Sequence, residues 1–174
     1  MNTALTIDWY LLFIVLGIAQ AMFLSILIFI RRKSNGQHFV FFSLFMFSLA
    51  IILTEVFLNY SGYIVKMIHV SKVSLPFQFL IGPSLFLFMQ ISLSGKRPIR
   101  IWKHFGVFLF ILLYFLLFYF QDAEIKQKIH ELEYNPDHST GLAQIDLSND
   151  PLGIHPLIHF LVFAHLLLYA FLIG

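Results

Sequence analysis

Glu55, Gln78 and His159 put a carboxylate, an amide and an imidazole into stretches of sequence that are otherwise almost wholly apolar. Each lies about five residues inside one end of its stretch, roughly 7–8 Å deep for a helix rising 1.5 Å per residue. Glu55 is the one acidic residue inside any of these stretches, and an ionisable group placed in hydrocarbon is a candidate for function. Together the three side chains could bind a small polar or cationic ligand. Their plainer role is hydrogen bonding between helices, which holds a bundle together without any ligand. Asn59 and His155 fall nearer the same end, Gln20 and His165 near mid-depth, and Gln90 in the opposite half.

His155 and His159 are spaced i, i+4, as metal-binding pairs are. They are weak metal candidates. The zinc-protease pattern needs Glu directly after the first His, where this chain has Pro156, and two histidines alone do not complete a tetrahedral set. A histidine pair packed at a membrane interface is the plainer reading. The absence of cysteine excludes disulfides, thiolate metal sites and cysteine nucleophiles. Neither a glycine-rich phosphate loop nor a Ser-His-Asp order at suitable depth is present, so no catalytic residue and no cofactor are expected.

These side chains need a scaffold, and the composition dictates its kind. Of 174 residues, 59% are hydrophobic and only 11% charged, with a mean hydropathy of +0.84. Soluble domains carry about 25% charged residues, and so small a protein cannot bury this much apolar surface. Five apolar stretches, near residues 9–30, 39–60, 73–93, 102–120 and 154–174, have lengths that match a hydrocarbon core of about 30 Å. Lipid leaves the backbone no outside partner, so each should be a helix. The expected fold is an all-α, polytopic transmembrane bundle of five spans. The first stretch has no Lys or Arg before it and exceeds a signal-peptide core, so it should be retained.

Seven of the eleven basic residues flank the same side, in the loops holding Arg31, Arg32 and Lys33 and then Lys96, Arg97, Arg100 and Lys103. Lys66, Lys72, Lys126 and Lys128 fall on the other. The positive-inside rule then places the N-terminus outside and these two loops in the cytoplasm. Trp9 and Trp102 stand at span ends, where interfacial aromatics belong. The fourth loop, residues 121–153, becomes extracytoplasmic. Within it Ile125, Ile129 and Leu132 recur at i, i+4 and i+7, and Glu124 and Lys128 can pair, so a short amphipathic surface helix is expected over 123–134. Asp150-Pro151 looks like a cap and a first-turn proline opening the last span. Pro83, mid-way along the third span, removes the bond to the Phe79 carbonyl and should kink that helix. The sequence stops inside its fifth span with no basic anchor, the pattern expected of a fragment.

With the helices placed, three stretches carry a resemblance. They are Gly17-Ile18-Ala19-Gln20-Ala21-Met22-Phe23-Leu24 with the Arg-Arg-Lys stop after its helix, Phe77-Gln78-Phe79-Leu80-Ile81-Gly82-Pro83-Ser84-Leu85-Phe86-Leu87, and Lys103-His104-Phe105. The sequence resembles the N-terminal membrane region of bacterial transmembrane AraC-type transcriptional regulators. The resemblance covers essentially the whole chain. In that family about seven membrane helices precede cytoplasmic helix-turn-helix units that bind DNA. It implies a bundle of which these five spans are part, in a bacterial cytoplasmic membrane, acting as a sensor. The DNA-binding part has no counterpart here, so no nucleic-acid contact is carried over. What members of that family sense does not carry over; the partners expected from this chain's own residues are the bilayer and a small extracytoplasmic ligand, with a second copy of the chain as a further candidate.

Two other functions remain open to the sequence. A small transporter or channel component would be expected to carry inverted repeats, and the first two spans show no convincing repeat in the next two. An integral membrane metalloenzyme would need more ligands than the one histidine pair.

Overall fold

The computed structural model of the protein describes residues 9–32, 36, 38–95, 100–134, 150 and 152–173. The apolar stretches are helices: α1 (Trp9–Ile30), α2 (Phe39–Tyr60), α3 (Ser74–Ser94), α4 (Trp102–Tyr119) and, after the short helix α5 (Ala123–Tyr134), α6 (Ile158–Ile173). A 3-10 turn at His155–Leu157 leads into α6, and two more, Tyr63–Val65 and Ile68–Val70, link α2 to α3. Five segments are long and apolar enough to cross a membrane, the last only together with its leading turn. No strand occurs among the described residues. Lys33, Lys96, Arg97 and residues 135–149 lie outside them.

α3 is the centre of the bundle. It packs on α2, α4 and α6, whereas α1 packs on α2. Leu75 and Phe79 of α3 meet Ile111, Tyr114, Phe115 and Phe118 of α4, with Ile158 and Val162 of α6, in one apolar cluster. Lipid tails are as apolar as these side chains, so close fit and polar bonds must hold the helices together rather than escape from water. Between α1 and α2 the bonds are reciprocal. Ser25 Oγ donates to the Ser43 carbonyl at 3.0 Å, and Ser43 Oγ donates to the Ser25 carbonyl at 2.8 Å. α3 ends at Gly95, whose left-handed φ of 64° lets its N–H close back on the Ile91 carbonyl.

The helix runs through Pro83, and the carbonyl that the proline orphans finds a partner elsewhere. His165 Nε2 of α6 lies 3.2 Å from the Phe79 carbonyl oxygen. A carbonyl only accepts, so Nε2 carries the proton. The defect in one helix thus becomes a docking point for another. Replacing His165 with Phe should cost about 1 kcal/mol in mixed-micelle unfolding. The cost should shrink when Pro83→Ala restores the backbone donor, and equal costs in both backgrounds would disconnect the two residues.

One turn further along α6, Tyr169 lies against Gly82 and reaches His104 at the start of α4, its hydroxyl 3.0 Å from Nδ1. Phe86 stacks beside the same pair. Three helices therefore meet around one tyrosine at the end of the bundle that holds Arg100 and Lys103.

Candidate functional site

At the opposite end, α2 and α6 flank α3 and leave a cavity of about 240 Å³. Its lining includes Glu55, Asn59, Lys72, Ser74, Gln78 and His159. The three residues singled out from the sequence are thus brought to one cavity by three different helices. The equal depth of Glu55, Gln78 and His159 in their spans is what makes this possible. Ile52, Val56, Leu75 and Ile158 complete the wall, so the site joins a polar floor to apolar sides.

Glu55 also has a second occupation. Its Oε1 accepts the Lys72 N–H and its Oε2 accepts the Ser74 N–H, both at 2.7 Å. Helix N-termini expose unbonded N–H groups and a partial positive charge, which a carboxylate satisfies. No side chain of α3's own N-cap, Val73, does so. Glu55 is therefore a cap supplied across the bundle, and the plainer structural role accounts for both of its oxygens. Lys72 pays a local cost, having a φ of 65° without being glycine. The strained residue is pinned from both sides, since its carbonyl accepts the Tyr119 hydroxyl at 3.1 Å.

The side chains of Gln78, His159 and Asn59 make no hydrogen bond among the described residues. Those three groups are what the cavity offers a ligand. The other polar positions are placed elsewhere: Gln20 and Gln90 are exposed on the outer faces of their helices, and His165 caps Phe79. His155 is not part of the cavity, because its ring packs on Phe115 and Phe118. The His155–His159 pair is thus divided between two environments, and no group of three His, Asp or Glu able to hold a metal occurs among the described residues. A second cavity, about 340 Å³ between α1 and α2, is lined by apolar side chains and by Ser25 and Ser43, already bonded to each other.

Around this site lie polar contacts that periodicity did not single out. On α5 Lys126 is only 1% exposed, while Ile125 of the expected apolar stripe is 38% exposed. Lys126 Nζ is 2.7 Å from the Tyr119 carbonyl at the end of α4 and 3.1 Å from His69 Nδ1. α5 rests on a polar turn, and there a donor fits where an isoleucine would not. On the solvent side Glu124 and Lys128 pair at 2.8 Å as their spacing suggested.

Asp150 fastens the entry to α6. It accepts the Tyr114 hydroxyl and the N–H groups of Ile154 and His155, the latter two at 2.8 and 3.1 Å. Pro151 lies outside the described residues. Burial by itself would raise this carboxyl, but the Tyr114 hydroxyl and the two backbone donors outweigh it and hold Asp150 below the ordinary carboxylate value. A depressed value means the stabilisation is present above the unfolded-state pKa and is lost as pH falls through the folded one. Asp150→Asn should therefore cost about 1 kcal/mol at neutral pH. The wild type should lose that advantage below pH about 4, read from melting temperature against pH. A difference that persists unchanged into acid would contradict this.

Fold and site together define a multi-pass helical membrane protein with a polar cavity at one end of its bundle. No protein-family model, curated protein or solved structure matches the chain.

Proposed function

We propose that this chain is the membrane-embedded signal-input module of a transmembrane AraC-type transcriptional regulator. In this reading it sits in a bacterial cytoplasmic membrane with the cavity facing outward and the Arg/Lys-rich loops in the cytoplasm. One observation carries the proposal: Glu55 lines the cavity while holding the N-terminus of α3, the helix on which α2, α4 and α6 pack. A small polar or cationic ligand that engages Glu55, Asn59, Gln78 and His159 competes with that cap. Binding then favours one packing of α3 over another, as any ligand-driven shift requires. The meeting of Gly82, Phe86 and His104 around Tyr169 offers a route to the opposite end, where a cytoplasmic reader would attach.

Gln78→Ala and His159→Ala test this without touching the cap. Deleting the gene should change a restricted set of transcripts, and each substitution should blunt the response at normal membrane abundance. Intact regulation in the Gln78→Ala/His159→Ala double variant would remove the cavity from sensing. Loss of solute uptake or efflux with no transcript change would favour a transporter component instead.

A further inference from the structure

Lys126 is nearly inaccessible, and no carboxylate lies within ion-pair distance of it among the described residues. Its ammonium has three donors and no acceptor, so His69 Nδ1 at 3.1 Å must be the accepting nitrogen of a neutral ring, with the proton on Nε2. The surroundings hold further basic side chains. Lys72 Nζ and Lys126 Nζ both lie over the Phe118 ring, 5.5 and 5.6 Å from its centre, and the His155 ring from the α6 side is 5.7 Å from it. The nearby turn holds Lys66 over Tyr63, and α5 itself adds His130 one turn beyond Lys126 and Asp122 at its exposed start. Among the described residues, the Glu55 carboxylate is held by the Lys72 and Ser74 N–H groups, and that of Asp150 by the Tyr114 hydroxyl and the Ile154 and His155 N–H groups.

We infer that His69 and Lys126 form a proton-operated latch, in which protonation of His69 releases α5 from the Ile68–Val70 turn and loosens the adjoining cap on α3. The chemistry balances simply: one proton from solvent binds Nδ1, the lone pair that accepted the Lys126 N–H is consumed, and an imidazolium then faces an ammonium across 3.1 Å. Attraction becomes repulsion. Burial pushes the Lys126 ammonium below the usual lysine range, in line with the charge being poorly supported. Only Val70 and Ser71 separate His69 from Lys72, whose N–H is bonded to Glu55, so movement of the turn is transmitted to the cavity wall. The latch rests on geometry alone. Its consequence for signalling, as regulation of the cavity, rests on the sensor reading above.

The absence of cysteine makes the test clean. Ile129→Cys places a thiol on the half-buried face of α5, and Glu124→Cys places one on the exposed face. In nanodisc-embedded protein, where both ends meet the buffer, the alkylation rate of the first divided by that of the second cancels the pH dependence of thiol chemistry. Between pH 7.5 and pH 5 this ratio should rise about tenfold, the response to a difference of 1.4 kcal/mol in latch stability. His69→Asn keeps an acceptor that does not titrate and should hold the ratio low at both pH values. Lys126→Met keeps the bulk without the charge and should give a ratio independent of pH. An unchanged ratio in the wild-type background overturns the latch, as does a full response in His69→Asn. If that variant does not fold, His69→Gln serves the same purpose. A working latch in a protein whose acidification leaves transcription unaltered would instead overturn the sensor reading and leave the latch standing.

Discussion

Glu55→Ala should lower the melting temperature of the purified protein by about 10 °C, the largest loss expected from any single truncation at the cavity. The substitution removes both acceptors from the N–H groups of Lys72 and Ser74, which Glu55 holds at 2.7 Å. Hydrogen bonds to a charged partner contribute roughly 1.5–3 kcal/mol each, and unpaired backbone donors away from water add a desolvation cost. A total of about 3–6 kcal/mol follows for the pair. Glu55→Gln should fall between wild type and Ala. Its amide offers one accepting oxygen and turns an NH2 group toward the second donor, so one bond survives. Ordering the three proteins by thermal unfolding in a single detergent checks the argument. A Gln variant as stable as wild type would mean that the charge contributes nothing, and an Ala variant as stable would dissolve the cap altogether. Both variants should also release Lys72, whose left-handed backbone costs about 1–2 kcal/mol and persists because its N–H and its carbonyl are both held.

Enlarging Gly82 should separate α3 from α6. A Cβ at this position would lie 2.8 Å from Tyr169 Cδ2 and 3.0 Å from Tyr169 Cβ. The second of those atoms is next to the backbone and cannot swing aside, so the helices themselves must part. Gly82→Ala should cost about 1–3 kcal/mol. Gly82→Leu, which adds three more carbons at the same spot, should prevent α6 from docking and leave protein that is degraded or aggregated in the membrane. Gly82→Ala/Tyr169→Ala provides the check: the hole left by Tyr169 accepts the new methyl. The double variant should then lose less than the two single losses added together, by about 1 kcal/mol or more. Strict additivity would show that the close approach is not what limits the residue at position 82.

Much of the scaffold was legible because hydrocarbon enforces it. A run of roughly 20 apolar residues has one way to satisfy its backbone in lipid, so the long helices follow from length and composition with ends displaced by a residue or two. The last span differs more: its first three residues, His155–Leu157, form a 3-10 turn before α6 begins at Ile158. The cavity was partly legible for a related reason. Polar side chains are rare enough in these spans that equal depth alone groups Glu55, Gln78 and His159.

The partners of those groups could not be read the same way. That Glu55 caps α3 depends on the turns at Tyr63–Val65 and Ile68–Val70 folding the chain back by the right amount, and no periodicity encodes that. The burial of Lys126 runs against its residue type. It is decided by where a carbonyl and an imidazole nitrogen happen to point, whereas the Ile125, Ile129, Leu132 spacing speaks only of α5's own surface. His165 reads as a mid-depth histidine until Pro83 is seen to free the carbonyl it meets.

That last pairing sets an order on biogenesis. Ribosomes deliver α3 to the bilayer long before α6, so the Phe79 oxygen enters the membrane with its intrahelical donor deleted and its eventual partner some eighty-six residues away, still unsynthesised. Until His165 arrives, the unfinished bundle carries a polar defect at its very centre. Completion of the final helix closes that defect and seats Tyr169 over Gly82 in the same movement, so a nascent chain cut short before residue 165 should be recognisable to membrane proteases as incomplete.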